Sequence, residues 1–172
     1  IPGLTKPGMR VGGYVQPQDL MPTFLDLADL EHPSPMDGLS MVPILTGQTR
    51  SLRDFAVSSY SICSPIAGRP STVVTPDWSL VLGSPGLSET DAAPLTTAST
   101  DAIDSRRRSE HPNAAALTPQ LYDNIADPGM THNVIDDHPT EAEELRNLYI
   151  DYIKSAGTAT EYVKPRQETP LL

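Results

Sequence analysis

Apolar residues recur at helical spacing near both ends of this chain and alternate as strands do in between. From Asp19, the run Leu20, Phe24 and Leu27, with Met21, Leu25 and Ala28 beside them, predicts a short helix with one wide apolar face. Asp19 is placed to cap it, and Pro22 falls in the first turn, where a missing N–H costs nothing. The segment His32-Pro33-Ser34-Pro35-Met36-Asp37-Gly38 cannot continue a helix, and Asp37-Gly38 is itself a turn signal. Ser40 to Leu45 then reads as one further helical turn, ended by Thr46-Gly47.

From Asp54 the period changes to two. Phe55 to Tyr60, Ser71 to Thr75 and Trp78 to Leu82 read as three short strands, the last two joined through Pro76-Asp77 as an antiparallel meander. Order returns at Leu121-Tyr122-Asp123, a strand end, followed by a tight turn at Asp127-Pro128-Gly129. A second helix is predicted from Pro139 to about Ser155. Pro139 suits its first position, and Glu141, Glu143 and Glu144 suit the positive end of its dipole. Ala142, Leu145, Leu148/Tyr149 and Tyr152/Ile153 form its buried stripe, and Gly157 ends it. The expected fold class is therefore α+β, a small antiparallel sheet with a C-terminal helix packed on it. Its parts are a connector and helical segment over 1–53, a sheet-and-helix unit over 54–155 and an extended tail over 156–172. Residues 83–119, rich in Ser, Thr, Ala and Pro and without an aromatic, read as a long surface loop with a short helix near 101–108.

Composition narrows the range of functions. Eighteen prolines are about twice the usual ~5% share. A net charge of −10 disfavours nucleic acid and anionic lipid as partners, because phosphate contacts need clustered Lys and Arg. No apolar run reaches the ~20 residues that a membrane span requires. No signal peptide is visible at Ile1-Pro2-Gly3, so localisation stays open; the absent Met suggests a truncated chain. Cys63 is a lone cysteine and leaves the redox compartment undecided.

Candidate chemistry is sparse. His132, Asp136, Asp137 and His138 fall within seven residues, as metal ligands could, but the better reading is that Asp137 or His138 caps the helix at Pro139. Asp26 and Asp29 share a helix face and read as solvated rather than as an acid/base pair. Arg106, Arg107 and Arg108, followed by His111, could grip a planar anion, since guanidinium matches its spread of oxygens; the alternative is a solvated charge run. No serine nucleophile elbow, Walker loop, H-E-x-x-H or Cys-x-x-Cys occurs.

Two motif blocks carry a resemblance. Asp19-Leu20-Met21-Pro22-Thr23-Phe24-Leu25-Asp26-Leu27-Ala28, followed by Asp37-Gly38-Leu39-Ser40 and Pro43-Ile44-Leu45-Thr46-Gly47, resembles the segment after the catalytic core of formylglycine-dependent sulfatases. These belong to the alkaline-phosphatase-like superfamily. Val73, Thr75, Trp78 and Leu80 resemble that family's small antiparallel sheet. Leu121-Tyr122-Asp123, Asp127-Pro128 and Asn133-Val134 resemble its L-Y-D-L-x-x-D-P-x-E-x-x-N-L signature, with Asn124, Met130 and Val134 departing from it. Asp29 stands where the family usually ends the helix with Gly, and Pro2-Gly3 looks like the pair that follows its last catalytic-domain strand.

The resemblance implies a C-terminal sulfatase subdomain with the catalytic N-terminal domain missing. In that reaction a formylglycine hydrate attacks the sulfur of a sulfate ester, with a divalent cation, commonly Ca, polarising the sulfate. Both groups belong to positions upstream, so no catalytic or metal residue is carried over to this chain. Cys63-Ser64-Pro65 imitates the formylglycine motif C-x-P-x-R, but Ala67 stands where its Arg belongs. The expected partners are the missing catalytic domain and, in the whole enzyme, a sulfated small molecule or glycan. The loop carrying Arg106, Arg107, Arg108 and His111 would border the pocket. Alternatives are a phosphonate or phosphodiester hydrolase of the same superfamily and a stand-alone, non-catalytic interaction module.

Overall fold

The computed structural model describes residues 1–59, 70–83 and 118–171, and the chain divides into two compact units, Ile1–Ala56 and Val57–Leu172. Expectations for the strand residue Tyr60, for Cys63 and for residues 84–117, including a helix near 101–108, lie outside the described residues.

In the first unit, helix α1 spans Leu20–Leu27 and a single turn, α2, spans Val42–Leu45. A 3-10 turn over Pro17–Asp19 leads into α1. Pro22 and Thr23 are buried, while Leu20, Met21, Phe24 and Leu27 are exposed. The chain passes α1 closely at Gly38, where an added Cβ would lie 2.0 Å from the Gln18 carbonyl oxygen and 3.1 Å from Pro22 Cγ. Glycine is the residue such an approach requires. Ile44 of α2 supplies the buried apolar side chain of the 42–45 turn, and Gly47 leaves it at φ 79.

The second unit is built on a four-stranded sheet in the order β1-β2-β3-β4, with strands Ala56–Ser59, whose first residue ends the first unit, Ser71–Val74, Trp78–Leu82 and Gln120–Asp123. β2 and β3 are antiparallel, pairing Val73 with Leu80, and β3 and β4 are antiparallel, pairing Leu80 with Leu121. Those three side chains are fully buried and form the centre of the core. The two-residue hairpin at Pro76-Asp77 is closed by Thr75, whose N–H donates to the Trp78 carbonyl at 2.8 Å while its hydroxyl accepts from the Trp78 N–H at 3.1 Å.

Helix α3, Pro139–Ser155, packs against β2 and β3 through Ala142, Leu145, Tyr149 and Ile150. Ile150 joins the stripe in place of Leu148, which is half-buried, and Tyr149 Oη lies 3.1 Å from Ser71 Oγ. Gly157, at φ 77, ends the helix.

The tail departs from expectation. Residues 156–172 do not run extended: Thr160–Glu168 form helix α4, with Pro165 inside it, and α4 packs on α3. Val163 and Leu171 are buried, and Arg146 of α3 donates to the Thr169 carbonyl at 3.0 Å while bonding Glu143. Tertiary anchoring of two apolar side chains and one carbonyl outweighs the local penalty of the proline.

Candidate functional site

Asp19 accepts four hydrogen bonds from three residues on its carboxylate. Its side chain is completely buried, and it does not cap α1 as the sequence suggested. It turns back instead, so that Oδ2 accepts from the Gln16 N–H at 2.7 Å in a capping box on the preceding turn. Oδ1 accepts from the Leu39 N–H at 2.9 Å and from Arg53 Nη2 at 2.6 Å, and Arg53 Nη1 pairs with Oδ2. Thr23 extends the clamp: its hydroxyl donates to the Asp19 carbonyl at 2.6 Å and accepts from the Met41 N–H at 2.8 Å. Burial by itself would raise the Asp19 carboxyl. The Arg53 bond, the two N–H bonds and the Arg53 charge outweigh it and hold the group below the ordinary carboxylate range. With both oxygens already engaged by two donors each, Asp19 is equipped to hold backbone rather than to move protons.

The histidine and aspartate run at 132–138 resolves into separate local structures. Asp127 Oδ2 accepts from the N–H groups of Thr131 and His132 at 2.6 and 2.8 Å. The His132 N–H bond leads the effects that depress the Asp127 carboxyl. His132 Nδ1 lies 2.8 Å from Thr131 Oγ1. Asn133 Oδ1 accepts from the N–H groups of Leu121 and Ile135, at 2.9 and 3.2 Å, tying the loop to β4. His138 occupies the position before α3 without a side-chain capping bond, so neither it nor Asp137 acts as the expected cap. Its ring instead lies against Trp78, with centroids 4.8 Å apart, and its Nδ1 is 3.4 Å from Glu141. Among the described residues no three His, Cys, Asp or Glu side chains gather as a metal site.

Asp26 and Asp29 do not act together. Asp26 meets His32 Nε2 at 2.7 Å, and Asp29 adopts φ 54 beyond the end of α1. Arg106, Arg107, Arg108, His111 and Cys63 lie outside the described residues. Sequence reasoning missed the partnership of Asp19 with Arg53, 34 residues apart, because no local periodicity connects them. It also missed the role of Asn124, whose amide donates to the Thr75 carbonyl at 2.8 Å and accepts from Ser79 Oγ at 2.8 Å. That residue departs from the family's Leu, and here it locks the end of β4 to the β2–β3 hairpin.

No protein-family model and no curated protein matches the sequence. Solved structures do match. A candidate sulfatase from Bacteroides thetaiotaomicron shares 22% identity over 81% of this chain and 24% of its own, with a TM-score of 0.51. A protein solved with its substrate D-glucosamine-2-N,6-O-disulfate shares 22% identity over 79% of this chain and 23% of its own, at 0.51. A 2-O GAG sulfatase shares 21% identity over 88% of this chain and 28% of its own, at 0.52. The chain thus spans about a quarter of the length of the sulfatases it matches, in keeping with the C-terminal segment that its motifs resemble. At these identities the likeness is one of fold, and the fold of this α+β chain is that of a part of a sulfatase.

Proposed function

We propose that this chain is the C-terminal segment of a sulfatase-type hydrolase and serves to buttress the catalytic domain and border its pocket. The observation that carries this reading is the fold match over 79–88% of the chain to about a quarter of each sulfatase. The Asp19 clamp gives three residues of the motif a structural role. Asp19, Thr23 and Gly38 fix α1 against the segment leading to α2, which is a structural task. The formylglycine and divalent cation implied by the resemblance would be held by the remainder of such an enzyme. The described residues offer no ligand set that fits a cation, and no chemical step is assigned to them.

Sulfated amino sugars and glycosaminoglycans are the first substrates to test, since two of the matching proteins are described with them. The Arg106-Arg107-Arg108 run and His111 would meet such an anion from the 83–119 segment. The test is to express the complete reading frame that contains this segment and, separately, the 172-residue chain. Each is assayed with an aryl sulfate, a sulfated glucosamine, an aryl phosphodiester and a phosphonate ester. The complete protein is expected to hydrolyse sulfate esters and the 172-residue chain to be inert. Turnover by the short chain would overturn the buttressing role. Preference for phosphodiester or phosphonate would move the enzyme to the other branch of the superfamily. A frame without C-x-P-x-R or an upstream Asp cluster would favour an interaction module.

A further inference from the structure

Helix α1 presents an apolar face that nothing in its own unit covers. Leu20, Met21, Phe24 and Leu27 are 48, 57, 63 and 41% exposed, and Leu30 continues the patch just beyond the helix at 59%. The spacing i, i+1, i+4, i+7 puts the four helical side chains in one stripe. Asp26 is the helix's one charged residue, and it is engaged by His32. The opposite side is fixed by Asp19 and Thr23, whose bonds to Leu39, Arg53 and Met41 prevent the helix from rolling its apolar stripe inward. A rigid, uncharged, outward-facing stripe in a chain of net charge −10 marks a contact surface.

We infer that this stripe is a docking surface for the remainder of the same chain, in a sulfatase-type protein of which the present segment is a part. The inference rests on the functional reading above. The matching sulfatases extend well beyond the aligned region, which is only 23–28% of their length, so a protein built on that plan would carry the occupant in its own polypeptide. Other occupants fit less well. Two copies would bring together two chains of −10 charge each. A bilayer surface favours helices with Lys and Arg on the polar side, and α1 has neither.

Methionine oxidation reads the surface directly, because Met21 lies in the stripe and Met130, 49% exposed, lies on the loop after β4. The 172-residue chain and the complete protein are treated with dilute peroxide, and the oxidation rate of each methionine is divided by its rate in urea. In the short chain Met21 and Met130 are expected to react at comparable normalised rates. In the complete protein Met21 is expected to slow by tenfold or more. An active complete enzyme in which Met21 stays as reactive as in the short chain would overturn the docking surface and leave the functional reading intact. A protected Met21 in a complete protein inert toward sulfate esters would support docking and overturn the functional reading. Protection of Met21 in the short chain that fades on dilution would identify a second copy as occupant and overturn the inference.

Discussion

Asp29 shows how one residue can carry a local conflict. Just past α1, Leu30 donates to the Leu25 carbonyl at 2.9 Å and Asp29 to the Asp26 carbonyl at 3.2 Å, the paired bonds of a Schellman stop. That stop places Asp29 at φ 54, where a side chain is crowded and glycine is not. Asp29→Gly is therefore expected to stabilise the first unit by about 1 kcal/mol, the usual worth of relieving a left-handed residue. Thermal denaturation followed at α1 measures it, and a lowered midpoint would contradict it. Gly38 poses the reverse problem. A methyl group there would meet the Gln18 carbonyl carbon at 2.6 Å, and backbone cannot step aside as a flexible side chain can. Gly38→Ala is expected to cost about 2–3 kcal/mol, in the range of severe overpacking. Urea unfolding of the same unit would detect it, and an unchanged midpoint would show that the approach relaxes.

Among the elements, α1 depends on a buried ion pair and α4 tolerates an interior proline. Removing Asp19 leaves Arg53, whose side chain is 14% exposed, without its partner, so Asp19→Ala is expected to cost about 3–5 kcal/mol. Because the folded carboxyl is depressed below its unfolded value of about 3.9, its contribution is complete above that value. The contribution is lost as pH falls through the folded value. Hydrogen exchange of the α1 amides should accelerate from pH 5 to pH 3 by more in the native chain than in Asp19→Ala, after correction for intrinsic rates. Equal acceleration would show that acid acts elsewhere. In α4, Pro165 lacks the N–H that would reach the carbonyl of Glu161. Pro165→Ala is expected to stabilise the docked helix by about 1–3 kcal/mol, with the interior-proline penalty as the upper bound. A lower melting midpoint would mean that the ring itself is needed for packing.

At the scale of the whole molecule, the two units differ in how much of their apolar surface they bury. The second closes on Val73, Leu80, Leu121 and the inner stripe of α3, whereas the first leaves Leu20, Met21, Phe24 and Leu27 in water. Covering the exposed parts of those four side chains is worth about 3–6 kcal/mol. Amides of Ile1–Ala56 in the isolated chain are therefore expected to exchange faster than those of β2, β3 and α3. Uniform protection across both units, with one cooperative high-temperature melt, would show that the first unit is self-sufficient. Among the described residues no helix is long and apolar enough to cross a membrane.

Local physics determined most of the elements up to Ser155 among the described residues. Period-two alternation located β2 and β3, the Pro76-Asp77 turn joined them, and the Pro139 start with its acidic first turn located α3. The motif blocks, read as residues, also pointed to the fold that the solved sulfatases share. Tertiary structure decided what depends on distant partners. Asp19 turned from cap to clamp because Arg53 and Leu39 arrive from 34 and 20 residues away. His138 gave up capping for Trp78, and residues 160–168 became helical because Val163, Leu171 and the Thr169 carbonyl find α3. A hydrophobic period records only a residue's neighbours along the chain; the energy of a buried carboxylate or a docked tail is set by what the fold brings to it.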